Sequence, residues 1–266
     1  MSAMTRMFPK KQRGLTLIEI MIALALGLML IAGLLQLFVG TRQSFRMQEN
    51  LSRVQESGRY ALEYLSRSLR LAGYRARDTI EVGQSFEDKF EVDSNPDRRP
   101  IWGVDGGTGT PNPPDVVTVN FEGTENALQG EVRDCLNRQA PADQASRNTL
   151  QLNGTDLECV SVVGDPVVTQ TQAVLENVID FQILYGEDTD SNEVANRYVS
   201  AGNVGDMNNV VSARVCVALQ SDEPNLMAEG VGLQTYQDCS GVNATCADRR
   251  LCRIFTTTVT LRNRLL

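Results

Sequence analysis

Three groups of residues in this sequence could do chemistry: six cysteines, a short alternation of acid and amide side chains, and one acid inside an apolar run. The cysteines are Cys135, Cys159, Cys216, Cys239, Cys246 and Cys252. No two form a C-x-x-C pair, and the chain has no histidine. A Ser-His-Asp triad, a Cys-His pair and a His-ligated catalytic zinc are therefore excluded. An even cysteine count suits disulfides in an oxidising compartment. Cys135 with Cys159 would link a turn to a strand across a moderate loop. Cys239 with Cys246 would close a short loop, and elimination leaves Cys216 with Cys252.

The alternation is "GEDTDSNEV", in which Asp188, Asp190 and Asn192 are spaced like the start of a calcium loop. That loop next requires Gly where Glu193 stands, and later Glu where Val199 stands. Both positions fail, so a solvated acidic turn is the preferred reading. Calcium at Asp188, Asp190 and Asn192 is kept as the alternative, and no other cofactor is expected. "GVDGGTG" at 103–109 is rich in glycine, but prolines follow it and no helical pattern does. It reads as a loop and not as a phosphate cradle. The net charge of −8 leaves no basic stripe for nucleic acid.

The lone acid is Glu19. It stands at the head of a run, residues 20–39, that is apolar except for Gln36 and long enough to cross a bilayer as a helix. Before the run the only charges are Arg6, Lys10, Lys11 and Arg13. Basic flanks stay in the cytoplasm, so the N-terminus is expected inside and the rest exported. The run is too long for a cleaved signal peptide and ends in no small-residue cleavage site, so it reads as a retained anchor.

The elements that position these groups follow from periodicity. Beyond Gly40, small or apolar residues recur at Leu51, Val54, Gly58, Ala61, Leu65, Leu69 and Ala72 in steps of three and four, the stripe of an amphipathic helix. Gly73 is placed to end it. One helix from about Leu15 to about Ala72 is expected, roughly 85–90 Å long at 1.5 Å per residue. Residues 74–115 lose the periodicity and read as a loop-rich connection. Strand patterns follow at 116–121, 148–152, 157–163, 175–186, 210–219 and 254–263. The fold class is thus α+β: a long N-terminal helix, transmembrane then amphipathic, packed on a C-terminal antiparallel β-sheet head. The expected divisions are 1–14, 15–40, 41–73, 74–115 and 116–266.

The stretch "RGLTLIE", abutting the apolar run, resembles the leader junction of type IV pilins and the related pseudopilins. The segments "QESGRYALEYLSRSLRLAGY", "LYGEDTDSNEVANRYV" and "RRLCRIFTTTVTLRNR" resemble a minor pilin of that family. The resemblance implies a leader at 1–14, cleavage by a prepilin peptidase between Gly14 and Leu15, and N-methylation of Leu15. It makes Glu19 the acid that attracts the amine of a neighbouring subunit during docking. It implies no enzymatic activity, and as partners other minor pilins, the major pilin, the peptidase and an inner-membrane assembly platform. The expected location is the bacterial inner membrane, single-pass with a periplasmic head, then the pilus fibre or its tip. Priming of pilus assembly, with twitching motility and surface attachment, is the implied function. A minor pseudopilin of type II secretion and a membrane-anchored periplasmic adhesin or enzyme are the alternatives.

Overall fold

The computed structural model describes residues 14–75, 99–107, 113–124, 131–141, 145–163, 167–227, 230 and 232–264. The basic residues Arg6, Lys10, Lys11 and Arg13 lie outside them. The chain divides into two compact units, Met1–Gln48 and Glu49–Leu266. One helix, α1 (Leu17–Arg70), contributes to both.

Up to Gly40 α1 is apolar on every side but for Glu19 and Gln36, and it is almost wholly exposed, with Leu17 at 78% and Met29 at 76%. A helix hydrophobic all round, with no protein against it, suits lipid. It is long and apolar enough to cross a membrane. Two of its polar groups are locally engaged: Thr41 Oγ1 donates to the Leu37 carbonyl at 2.8 Å, and the Arg42 guanidinium lies 4.6 Å from the centre of the Phe38 ring.

In the second unit the helix buries one stripe, Asn50, Val54, Gly58, Ala61, Leu65, Ser68 and Leu69. The expected stripe is present with one shift at its start. Asn50 is buried and Leu51 only half-buried, because Asn50 Oδ1 accepts from the Glu223 amide at 3.4 Å. The helix stops two residues short of Ala72. Its last carbonyls are taken up by a tightened turn and by Asn263 Nδ2, which donates to Arg70 O at 2.7 Å. Gly73 follows at φ +76°, a conformation that a side chain disfavours, and donates to Asn120 O at 2.9 Å.

The stripe covers two antiparallel sheets. The first runs in chain order: β1 (Ile101–Val104), β2 (Val116–Glu122), β3 (Ala145–Asn153), β4 (Asp156–Val163) and β5 (Val168–Leu175). The second has the order β11 (Cys252–Thr260), β8 (Val210–Gln220), β6 (Val178–Glu187), β7 (Arg197–Val199). A two-stranded ribbon, β9 (Thr235–Gln237) with β10 (Asn243–Thr245), lies between β8 and β11 in the chain. One core joins the helix to both sheets, with Leu65, Leu69, Leu150, Leu157, Phe181 and Leu219 among its members.

Four expectations are corrected. The head holds two larger sheets where a single one was expected. The 74–115 connection includes β1, whose four residues pair with Val116–Val119 of β2. The apolar stretch 175–186 is not one strand: Leu175 closes β5 and Val178 opens β6, with Asn177 at φ +61° between them. Asparagine reaches that left-handed conformation more readily than other side chains, so the chain passes from one sheet to the other there. Finally, β5, β7, β9 and β10 arise where no strand was expected, because none of their side chains but Leu175 is buried and they carry no buried alternation.

Candidate functional site

Gly14, Leu15 and Thr16 precede the helix in non-helical backbone, and all three are exposed. A peptide bond outside a helix is the form a peptidase can reach, since helical backbone hides its amides in internal hydrogen bonds. Nothing lies within 4 Å of the position a Cβ would take on Gly14. The helix begins on a cap: Thr16 Oγ1 accepts from the Glu19 amide at 3.4 Å, and Thr16 O accepts from the Glu19 and Ile20 amides at 3.1 and 3.3 Å. Thr16 and Glu19 therefore have the spacing of a capping box, S/T-x-x-E, a signal already present in the sequence. An acid in the first turn also suits the positive end of the helix dipole. The structure thus brings Gly14, Leu15 and Glu19 together within one exposed turn.

All six cysteines are bonded. Cys135 pairs with Cys159, as expected, at a Cα–Cα distance of 6.3 Å. The other two pairs differ from expectation: Cys216 bonds Cys239 at 5.6 Å, and Cys246 bonds Cys252 at 5.8 Å. Strand register supplies the reason. Cys216 faces Thr256 across the β8–β11 ladder, while Cys252 faces Gln220. The two cysteines stand four residues apart along neighbouring strands, about 13 Å at strand rise, beyond the span of a disulfide.

Asp188, Asp190 and Asn192 do lie together, but they serve one another and the backbone. Asp188 Oδ2 accepts from the Glu193 amide at 2.7 Å, and its Oδ1 accepts from the Asp190 and Asn192 amides at 3.2 and 3.3 Å. Asp190 Oδ2 accepts from Asn192 Nδ2, and Asn192 Oδ1 accepts from the Val194 amide. Burial raises the Asp188 carboxyl, but the Glu193 and Asn192 amides outweigh it and hold the group below its usual range. These bonds close the turn in the manner of an Asx turn.

Three other buried acids, Asp134, Asp115 and Asp180, are equally committed. Asp134 accepts from the Leu136 and Arg138 amides, from Arg138 Nε and from Ser161 Oγ, all at 2.7–2.9 Å, and so fixes the turn that carries Cys135. Asp115 accepts from the Gly106 and Ile183 amides, tying the loop before β2 to β6. Asp180 accepts from Gln182 Nε2 and from the Cys239 amide, tying β6 to the disulfide loop. Burial pushes the carboxyls of Asp115 and Asp180 above their ordinary range. Each group has a structural task, and sequence reading had singled out none of them.

Two family models match this sequence. The prokaryotic N-terminal methylation motif matches residues 9–35, and type IV pilus-assembly protein W, PilW, matches residues 142–263. The chain is thus similar to the type IV pilins at its N-terminus and to PilW in its head. The methylation motif lies over the exposed turn at Gly14–Glu19 and the apolar first half of α1. The PilW match runs from the start of β3 to the turn after β11, and so takes in two of the three disulfides whole. Among solved structures, a type IV-like pilin from Thermus thermophilus is 15% identical, over 79% of this chain and 97% of its own, with a TM-score of 0.44. The GspK–GspI–GspJ complex of the type 2 secretion system of enterotoxigenic Escherichia coli matches at 11% identity, over 76% of this chain and 95% of its own, with a TM-score of 0.34. No protein of curated function matches this sequence.

Proposed function

We propose that this chain is a minor pilin, cut by a prepilin peptidase between Gly14 and Leu15, methylated at Leu15 and built into a pilus that it helps to initiate. The observation that carries this reading is the coincidence at the N-terminus. The methylation motif spans the exposed, non-helical residues Gly14, Leu15 and Thr16 together with the apolar start of the helix that follows them. The chain's task would be assembly, with other pilins and the inner-membrane platform as partners and the head on the periplasmic side. Twitching motility and surface attachment would follow from working pili. The head's polar groups support a non-enzymatic role, because the buried acids described above are occupied in holding turns and loops.

Gly14→Leu tests the processing step. A bulky residue before the scissile bond should leave a full-length precursor in the inner membrane, read by intact mass. An unchanged mature N-terminus in that variant refutes the reading. A deletion strain separates pilus from secretion roles: lost piliation with normal protein secretion supports the minor pilin, and the reverse assigns the chain to a type II secretion apparatus.

A further inference from the structure

β5 is an outer strand of the five-stranded sheet, paired to β4 on one side. Residues 168–173 are all exposed, and Val167 and Val168 stand out at 55% and 46%. An outer strand offers a row of unpaired amides and carbonyls, and proteins usually blunt such rows with charge, proline, brevity or a cover. The other outer strands are blunted in these ways. β1 has four residues and β7 three, the latter with Arg197. β11 carries Arg253, and the amide of Gln234 holds both the N–H and the carbonyl of Cys252, at 3.0 and 3.1 Å. β5 is eight residues long and has no charge, no proline and no glycine.

Its sequence is nearly a palindrome. Val168-Thr169-Gln170-Thr171-Gln172-Ala173-Val174 reads almost alike in both directions about Thr171. We propose that β5 is a self-pairing edge, joining two copies of this chain antiparallel about a two-fold axis at Thr171. In that register Thr171 meets Thr171, Gln170 meets Gln172, Val168 meets Val174, and Thr169 meets Ala173. Every pair is uncharged, so self-pairing sets no like charges opposite one another. The glutamines fall on one face, where their amides can bond reciprocally.

A cavity of about 560 Å³ adjoins the same edge; Val174 and Leu175 form its apolar rim with Val54 and Leu219, and the charged Arg53, Glu56, Glu176 and Asp222 line the rest. The proposed register carries the exposed Val167 and Val168 of the second copy to Leu175 and Val174 at its rim. The two-fold repeats this contact at the other end, so one strand pair covers both exposed valine pairs. A second copy is thus matched to this edge in backbone, in side-chain order and in apolar contact.

Cross-linking of the full chain in detergent micelles tests both the pairing and its register. Directly opposed residues in an antiparallel pair have Cα atoms about 4.5–5.5 Å apart, within disulfide range. Thr171→Cys should therefore give a disulfide-linked dimer on mild oxidation. Thr169→Cys should not, because its two copies would stand about 13 Å apart, but it should link to an Ala173→Cys copy when the two are mixed. Intact mass before oxidation confirms that the three native disulfides are kept and one thiol is free. Thr171→Lys sets two ammonium groups opposite each other and should weaken dimerisation about fivefold in sedimentation velocity. Equal cross-linking at 169 and 171 would assign any dimer to another contact, such as the anchors, and overturn the proposal. So would no dimer at all, or a Thr171→Cys adduct formed in cells only with a different polypeptide.

Discussion

The ring of Phe255, on β11, lies where a side chain on Gly58 of α1 would have to go: a Cβ there would overlap Cζ and both Cε atoms. The glycine lets the helix approach the sheet closely enough for the ring to sit against backbone. Gly58→Ala should therefore destabilise the head, although alanine is the better helix former. Overpacking costs about 1–3 kcal/mol and the helix gains about 1, leaving a net loss of up to about 2 kcal/mol. Phe255→Leu in the same chain should recover much of it. Strictly additive losses in thermal melts of the double variant would show that the ring is not the obstacle.

Arg197 donates from Nε and NH2 to Glu187 Oε2 at 2.8 and 2.6 Å, while Glu187 Oε1 accepts from the Gly205 and Asp206 amides. Burial raises the carboxyl, but these donors outweigh it and set its pKa below the ordinary 4.5. A group with a lowered folded pKa stabilises above its unfolded pKa, and the contribution is lost as pH falls through the folded value. Glu187→Gln should accordingly lower Tm by roughly 4–8 °C at neutral pH. The gap between variant and native chain should hold at neutral pH and shrink only as pH falls below the ordinary carboxylate range, through the lowered folded value. A gap of constant size across that range would remove the carboxylate from the account.

The disulfides show where sequence reading stops. Six bonded cysteines followed from their even number and expected compartment, and Cys135–Cys159 from the turn and strand that carry them. The other pairs depend on register between β8 and β11, which no local pattern encodes. Digestion with Asp-N and trypsin distinguishes the two pairings without reduction. Both enzymes leave Cys239 and Cys246 together on residues 238–247. The structure requires that peptide to be linked at once to the Cys216 peptide and to the Cys252 peptide. A separate Cys216–Cys252 pair would contradict it. Losing Cys216–Cys239 by double substitution to Ala should cost about 3 kcal/mol.

The helix was legible because both of its patterns are long, lipid-like all round and then striped at Val54, Ala61, Leu65 and Leu69. β2 and β11 were legible because β-branched residues dominate them, and β3, β4 and β8 because apolar residues alternate along them. β5 was not, since Thr and Gln at an exposed outer position carry no pattern of burial. The acidic loop was legible as a turn but not in detail, and its oxygens now give a sharper expectation. Asp188 accepts three backbone amides and Asp190 accepts an amide side chain, so calcium would have to displace donors already in place. Millimolar calcium should leave the Tm of the full chain in micelles unchanged, beside a calcium-responsive control. A rise that grows with calcium concentration would restore the metal reading at Asp188, Asp190 and Asn192.

Glu19 carries the last expectation. Its amide is held by Thr16, and it is exposed in the first turn of α1, one turn from the amine that cleavage would create at Leu15. An acid so placed, at the edge of an apolar span, can meet a positive charge that arrives with a second subunit, and such a pair sets register more than stability. Glu19→Ala should still insert, because losing the charge makes the segment more apolar. It should still be cut, because Gly14 and Leu15 remain outside the helix and the Thr16 cap does not need the Glu19 side chain. The fault should appear at assembly, as processed protein that stays in the membrane fraction. Glu19→Asp should fall between the two, keeping the charge but losing reach. Other pilins can bypass a minor subunit, so some pili are expected to remain, and the decisive measurement is the variant's own share in sheared fibres. Normal incorporation of Glu19→Ala would reduce Glu19 to an interfacial residue at the start of a helix and leave docking to other contacts.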